Sequence, residues 1–129
     1  MEREREAGPG FVPGRHMLDS YGRGGFRFAG MSHRGSILAL PSGVRAWPVE
    51  SLAELTIEAL RPIFDEEPSL ELLLLGTGDQ PGFVPEAIRR HVRAAGIGLD
   101  PMATGPAART YNVLVAEERR VGAALIAVA

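Results

Sequence analysis

Between Leu70 and Leu75 every position except Glu71 is apolar. That is the pattern of a strand covered on both faces, not one with a wet side. The run passes directly into Gly76-Thr77-Gly78. Upstream, Phe26, Phe28 and Gly30 alternate with Arg27 and Ala29, the period of a half-buried strand. Ser36–Leu40 follows Gly35, and Val44–Trp47 follows a Pro41-Ser42-Gly43 turn, so three short strands are expected in a meander, with Met31 to Arg34 as a connection. From Ser51 the period lengthens. Leu52, Leu55, Ala59, Leu60 and Phe64 predict one or two short amphipathic helices, kinked or ended by Pro62.

Val84, Ile88 and Val92, four apart, predict a helix opened by Pro85 and Glu86 and closed by Gly96, with Arg89, Arg90 and Arg93 on a solvated face. Ile97 to Leu99 reads as a short strand. Thr104, as a cap with Pro106 in the first turn, starts a helix carrying Ala108, Tyr111, Leu114 and Val115 inward, and Val121 to Val128 reads as a last strand. This order predicts a single three-layer α/β domain with a mixed central sheet and a β-rich N-terminal third. Residues 1–19 alternate Glu with Arg and then break into Gly8-Pro9-Gly10 and Pro13-Gly14, so they are expected as a flexible tail before a domain spanning 20–129. No run approaches the about 18 apolar residues of a membrane span. The early residues lack a signal-peptide core, and Glu2, Glu4 and Glu6 are unlike an organelle presequence; a cytoplasmic bacterial protein is expected.

Composition narrows the chemistry. With no cysteine, disulfides, thiolate metal sites and cysteine nucleophiles are excluded. His16, His33 and His91 lack metal-ligand spacing, so no metal is expected. All 14 basic residues are arginine, which removes Schiff-base and P-loop lysines, and the net charge of −2 argues against a nucleic-acid partner.

The candidate site centres on Gly76, Thr77 and Gly78, because a glycine loop after a buried strand is where open α/β sheets hold anions on backbone N–H groups. The dinucleotide fingerprint fails, since Pro81 stands where a third glycine belongs, and the P-loop fails for want of Gly-Lys-Ser/Thr. A tight turn is the competing reading. Asn112, on the stripe of Ala108 and Val115, is a buried amide that either ties a loop's backbone to the helix or recognises a ligand. Arg109 offers its fork to an anion or pairs with an acid such as Asp100. His33 reads as a solvated turn histidine, Trp47 as a packing residue or an interface anchor, and Tyr21 with Gly22-Arg23-Gly24-Gly25 as an entry loop or a lid.

Four separated segments, Gly24-Gly25-Phe26-Arg27, Gly35-Ser36-Ile37-Leu38 with Leu40-Pro41-Ser42-Gly43-Val44, Leu73-Leu74-Leu75-Gly76-Thr77-Gly78 and Arg109-Thr110-Tyr111-Asn112, together resemble a family of small uncharacterised α/β domains. That family includes the mitochondrial respiratory complex I assembly factor of this fold and the adipogenesis-associated domain protein. The resemblance spans about residues 20–129. It implies a three-layer fold with a mixed sheet, no established catalytic residue and no cofactor. Through the assembly-factor members it implies protein partners, including a membrane complex under assembly, met at the inner membrane by a protein without a transmembrane segment. Two functions are therefore expected in competition: a non-enzymatic interaction domain, and a small-molecule anion-binding domain or enzyme whose site is formed by Gly76, Thr77 and Gly78 with Arg109 and Asn112.

Overall fold

The computed structural model describes residues 11–129. Their strands are β1 (Phe11–Pro13), β2 (Ser20–Gly22), β3 (Gly25–Phe28), β4 (Met31–Arg34), β5 (Ser36–Leu40), β6 (Gly43–Trp47), β7 (Leu72–Gly76), β8 (Gly98–Met102) and β9 (Val121–Leu125). The helices are α1 (Arg61–Phe64), α2 (Glu86–Ala94) and α3 (Thr104–Ala116), with 3₁₀ turns at Leu52–Glu54 and Glu58–Leu60. Six strands form one mixed sheet in the order β1-β6-β5-β9-β7-β8, with β7 parallel to both β9 and β8 and the other pairs antiparallel. This is the mixed three-layer α/β architecture expected from the sequence.

The middle of the sheet is buried on both sides because its sequences leave no polar face. Leu73 and Leu75 of β7, Leu38 and Leu40 of β5, and Ala124 point to a layer made by α2, α1 and the 3₁₀ turns. Leu74, Ile37, Ala39, Ala123 and Leu125 point to α3 and the small sheet. Strand β9 can sit at the centre because its residues are small: a Cβ on Gly122 would stand 2.7 Å from Leu70 Cδ1 and 2.9 Å from Leu40 Cδ2.

The first third differs from the expected meander. Strands β2, β3 and β4 form a separate three-stranded antiparallel sheet, while β5 and β6 pair in the large sheet. Met31–Arg34, expected as a connection, is therefore a strand. Arg23-Gly24 and Ala29-Gly30 all have positive φ, so both hairpins of the small sheet turn in two residues with the twist that antiparallel strands require. That settles the Tyr21–Gly25 segment as strand and turn. Phe26 and Phe28 are buried against α3, as their alternation predicts.

Order also begins earlier than Ser20. Phe11–Pro13 pairs with β6, and Leu18 is only 6% exposed, inside the α3-side core. A three-residue edge strand containing a proline and flanked by glycine carries almost no sequence signal. The rest of the expected tail, residues 1–10, lies outside the described residues. In the Ser51–Phe64 stretch the expected helices are reduced to two 3₁₀ turns and one α-helical turn, and Pro62 sits in the first turn of α1 instead of ending a helix. Trp47 is a core residue, its Nε1 donating to the Ala59 carbonyl at 2.8 Å and so holding that irregular segment to the sheet.

Candidate functional site

The strand β7 delivers Gly76, Thr77 and Gly78 to the end of the sheet, where three other segments converge on them. Ile126 N donates to Gly76 O at 3.0 Å, and Thr77 N donates to Met102 O at 2.9 Å. Gly78 N donates to the Thr104 hydroxyl at 3.0 Å, and Thr104 N returns a bond to Gly78 O at 2.9 Å. The Thr77 hydroxyl donates to Gln80 O at 2.7 Å. Every one of these bonds stays within the protein, so the Thr77 and Gly78 amides that would cradle an anion are already occupied.

Thr104 was expected to cap α3. Ala103 takes that position, and Thr104, fully buried, donates its hydroxyl to Ile126 O at 2.7 Å while accepting from Gly78 N. One hydroxyl thus joins the end of β7, the start of α3 and the end of β9. Gly76 must lack a side chain for the same reason: a Cβ there would lie 2.9 Å from Thr104 Oγ1 and 3.0 Å from Thr104 Cα. The glycine loop is a joint.

Asn112 is half-buried on α3 and takes the structural alternative. Its Oδ1 accepts from Leu18 N at 2.8 Å and its Nδ2 donates to Leu18 O at 2.7 Å, satisfying both backbone groups of a buried residue. The preceding residue on the helix, Tyr111, donates its hydroxyl to His16 O at 3.0 Å. Burial pushes the Tyr111 phenol up to about 12, against a smaller opposite pull from the charge of Arg15. Together the two side chains latch residues 16–18 to α3 and lead the chain into β2.

Arg109 does not pair with Asp100; the ion pairs among the described residues are Arg61 with Glu58 at 3.2 Å and Arg119 with Glu71 at 2.9 Å. It lines, with Asn112, Ala108 and the segment Leu18–Tyr21, a cavity of about 320 Å³. Gly76, Thr77 and Gly78 are not part of that lining, so the five residues read from the sequence as one site fall into two places. Among the described residues no cluster of histidines and carboxylates has the arrangement of a metal site. His33 is not a solvated turn residue: it lies on β4 opposite Phe26, and burial lowers its pKa while a backbone hydrogen bond at Ser36 partly offsets the shift.

Two surface features escaped the sequence reading. Phe83 is 93% exposed, in a loop whose next residue, Val84, is buried and whose Gly82 packs against Leu52. The period of Val84, Ile88 and Val92 leaves Phe83 off the apolar stripe, but a large apolar side chain off a stripe does not by itself announce an exposed ring. The second is an arginine-lined depression on the small sheet, visible only once β2, β3 and β4 are paired.

Fold and surface together define a small three-layer α/β domain whose conspicuous glycine motif holds the scaffold together. The chain belongs to the family described as a protein of unknown function (DUF498/DUF598), whose pattern matches residues 18–126. It is 40% identical over 119 residues to an uncharacterised protein of Rhodobacter capsulatus, covering 92% of this chain and 89% of that one. It is also 35% identical over 109 residues to NADH dehydrogenase [ubiquinone] 1 alpha subcomplex assembly factor 3 of Bos taurus, covering 84% of this chain and 59% of the relative. The chain therefore spans well under two thirds of that assembly factor. Among solved structures, one described as an outer membrane protein from Bartonella henselae superposes with a TM-score of 0.86 at 45% identity, over 91% of this chain and 98% of that one. No helix among the described residues is long and apolar enough to cross a membrane.

Proposed function

We propose that this chain is a non-enzymatic protein-interaction domain that assists the assembly of a respiratory or other membrane protein complex, reaching the inner membrane from the cytoplasm through its partner. Its similarity to an assembly factor of NADH dehydrogenase supports the class of task. Phe83 carries the reading physically. An aromatic ring 93% exposed stands in the loop between Pro81 and Pro85, beside a valine buried in the core. Aromatic rings presented in this way are common anchors of protein interfaces. The glycine loop offers less, since its amides are bonded within the fold.

The test is affinity capture of the full chain from gently crosslinked native cells, with Phe83→Ser beside the wild type. Subunits of a membrane-embedded respiratory or related complex are expected with the wild type and at least tenfold less with Phe83→Ser. Because the ring is exposed, that substitution should change unfolding free energy by no more than about 0.5 kcal/mol. Failure to recover such subunits, or equal recovery with the variant, would sink the proposal.

A further inference from the structure

We infer that the outer face of the β2–β4 sheet is a docking site for an extended acidic peptide segment of a protein partner. The inference rests on the interaction-domain reading and specifies the chemistry of one contact. In the register of the sheet, Ser20, Arg27 and Ser32 lie side by side across the three strands, and Gly25 lies opposite Arg34. Directly paired residues of antiparallel strands share a face, so Arg27 and Arg34 stand on the face opposite Phe26 and Phe28, which are buried. Arg23 joins them from the hairpin turn. Arg34 Nη1 lies 4.0 Å from where a Gly24 Cβ would stand, which brings its guanidinium back toward that same turn.

These residues line a cavity of about 610 Å³, and its lining contains three arginines, two serines and no acidic side chain. Asp19 borders the neighbouring cavity beside Arg109. Arg27 donates to the Ser32 hydroxyl, which orients its fork along the sheet. Arg23 is itself telling. It has φ +55°, a left-handed conformation at a turn position that glycine or asparagine fills at lower cost, so the guanidinium is placed there against backbone preference.

The geometry favours a peptide over a single small anion. All three arginines are exposed, and an isolated exposed ion pair contributes little. Several carboxylates on one extended chain engage the arginines together, and the planar forks match carboxylate geometry. A long polyanion is disfavoured by the net charge of −2 of the whole chain.

The test uses the full chain and a fluorescein-labelled octapeptide alternating Glu with Thr, beside its Gln-Thr counterpart, read by fluorescence anisotropy. Arg27→Ser/Arg34→Ser should weaken the Glu peptide at least tenfold, and Arg89→Ser/Arg93→Ser on α2 should not. Affinity should fall with added salt. No binding, equal binding of the two peptides, or an equal loss with the α2 variant would overturn the inference. So would binding to phosphatidylglycerol vesicles, but not to the peptide, that the β3–β4 variant abolishes. Peptide binding that emerges only after Glu2, Glu4 and Glu6 are changed to Gln assigns the face to this chain's own segment and equally overturns it. The two readings fail separately. Capture of membrane-complex subunits undiminished by Arg27→Ser/Arg34→Ser removes this site and leaves the interaction domain standing, whereas specific peptide binding without such capture removes the assembly role alone.

Discussion

At the scale of single residues, two titratable side chains report the packing of the α3-side core, at opposite ends of the pH range. Tyr111 is fully buried and its phenol is raised to about 12, above the ordinary value near 10. The unfolded chain therefore releases this proton first. Its stabilisation is complete below about pH 10 and is lost as pH climbs toward 12. Denaturant unfolding at pH 9, 10.5 and 11.5 should show a decline that Tyr111→Phe flattens, while at neutral pH the variant loses about 1 kcal/mol with the bond to His16 O. His33 works in the other direction. Burial lowers its pKa, so the unfolded chain takes up the proton first as pH falls, and its contribution is complete above about 6.5 and lost as pH falls toward the lower folded value. Between pH 7.5 and 5.5, wild-type stability should decline more steeply than that of His33→Gln; parallel curves would mean that His33 is solvated after all.

At the scale of elements, the Thr104 hydroxyl is the test of the glycine loop as a joint. Thr104→Val keeps the shape but leaves Gly78 N and Ile126 O without their partner, and a buried group so orphaned costs about 1–3 kcal/mol. Thermal and denaturant unfolding should show a loss in that range with the fold unchanged by circular dichroism; a loss below about 0.5 kcal/mol would mean that the loop is not held by this residue. Legibility follows the same physics. Strands β5, β7 and β9 and helices α2 and α3 could be read because burial on one face imposes a period, and burial on both an unbroken apolar run, over many residues at once. Phe11–Pro13 and the Ser51–Phe64 turns could not, since short irregular pieces are settled by distant partners such as the Ala59 carbonyl under Trp47. Asn112 was readable as a backbone tie because a mid-helix amide on an apolar stripe must be satisfied. That Gly76–Gly78 and Arg109 lie apart was not, because it depends on where α3 crosses the sheet.

At the scale of the molecule, the small sheet is attached to a larger and better buried one by a few identifiable bonds. Gly24 N reaches Val128 O at 2.7 Å, and Asn112 and Tyr111 hold Leu18 and His16, the residues that lead into β2. By contrast β9, β5 and β7 are paired on both sides and covered on both faces. Such an arrangement opens in parts, with the element tied by fewer buried contacts opening at lower free energy. Native-state hydrogen exchange should therefore find amides of residues 18–34 opening below the global unfolding free energy and those of Leu73–Leu75 and Ala123–Leu125 opening only with it. Asn112→Ala removes both bonds to Leu18 and should lower the opening free energy of the small sheet by about 1–3 kcal/mol. If the latch acts locally, amides of the two central strands should change less than those of the small sheet. An equal fall everywhere would show one cooperative unit, and the arginine-bearing face would then be as rigid as the core beneath it.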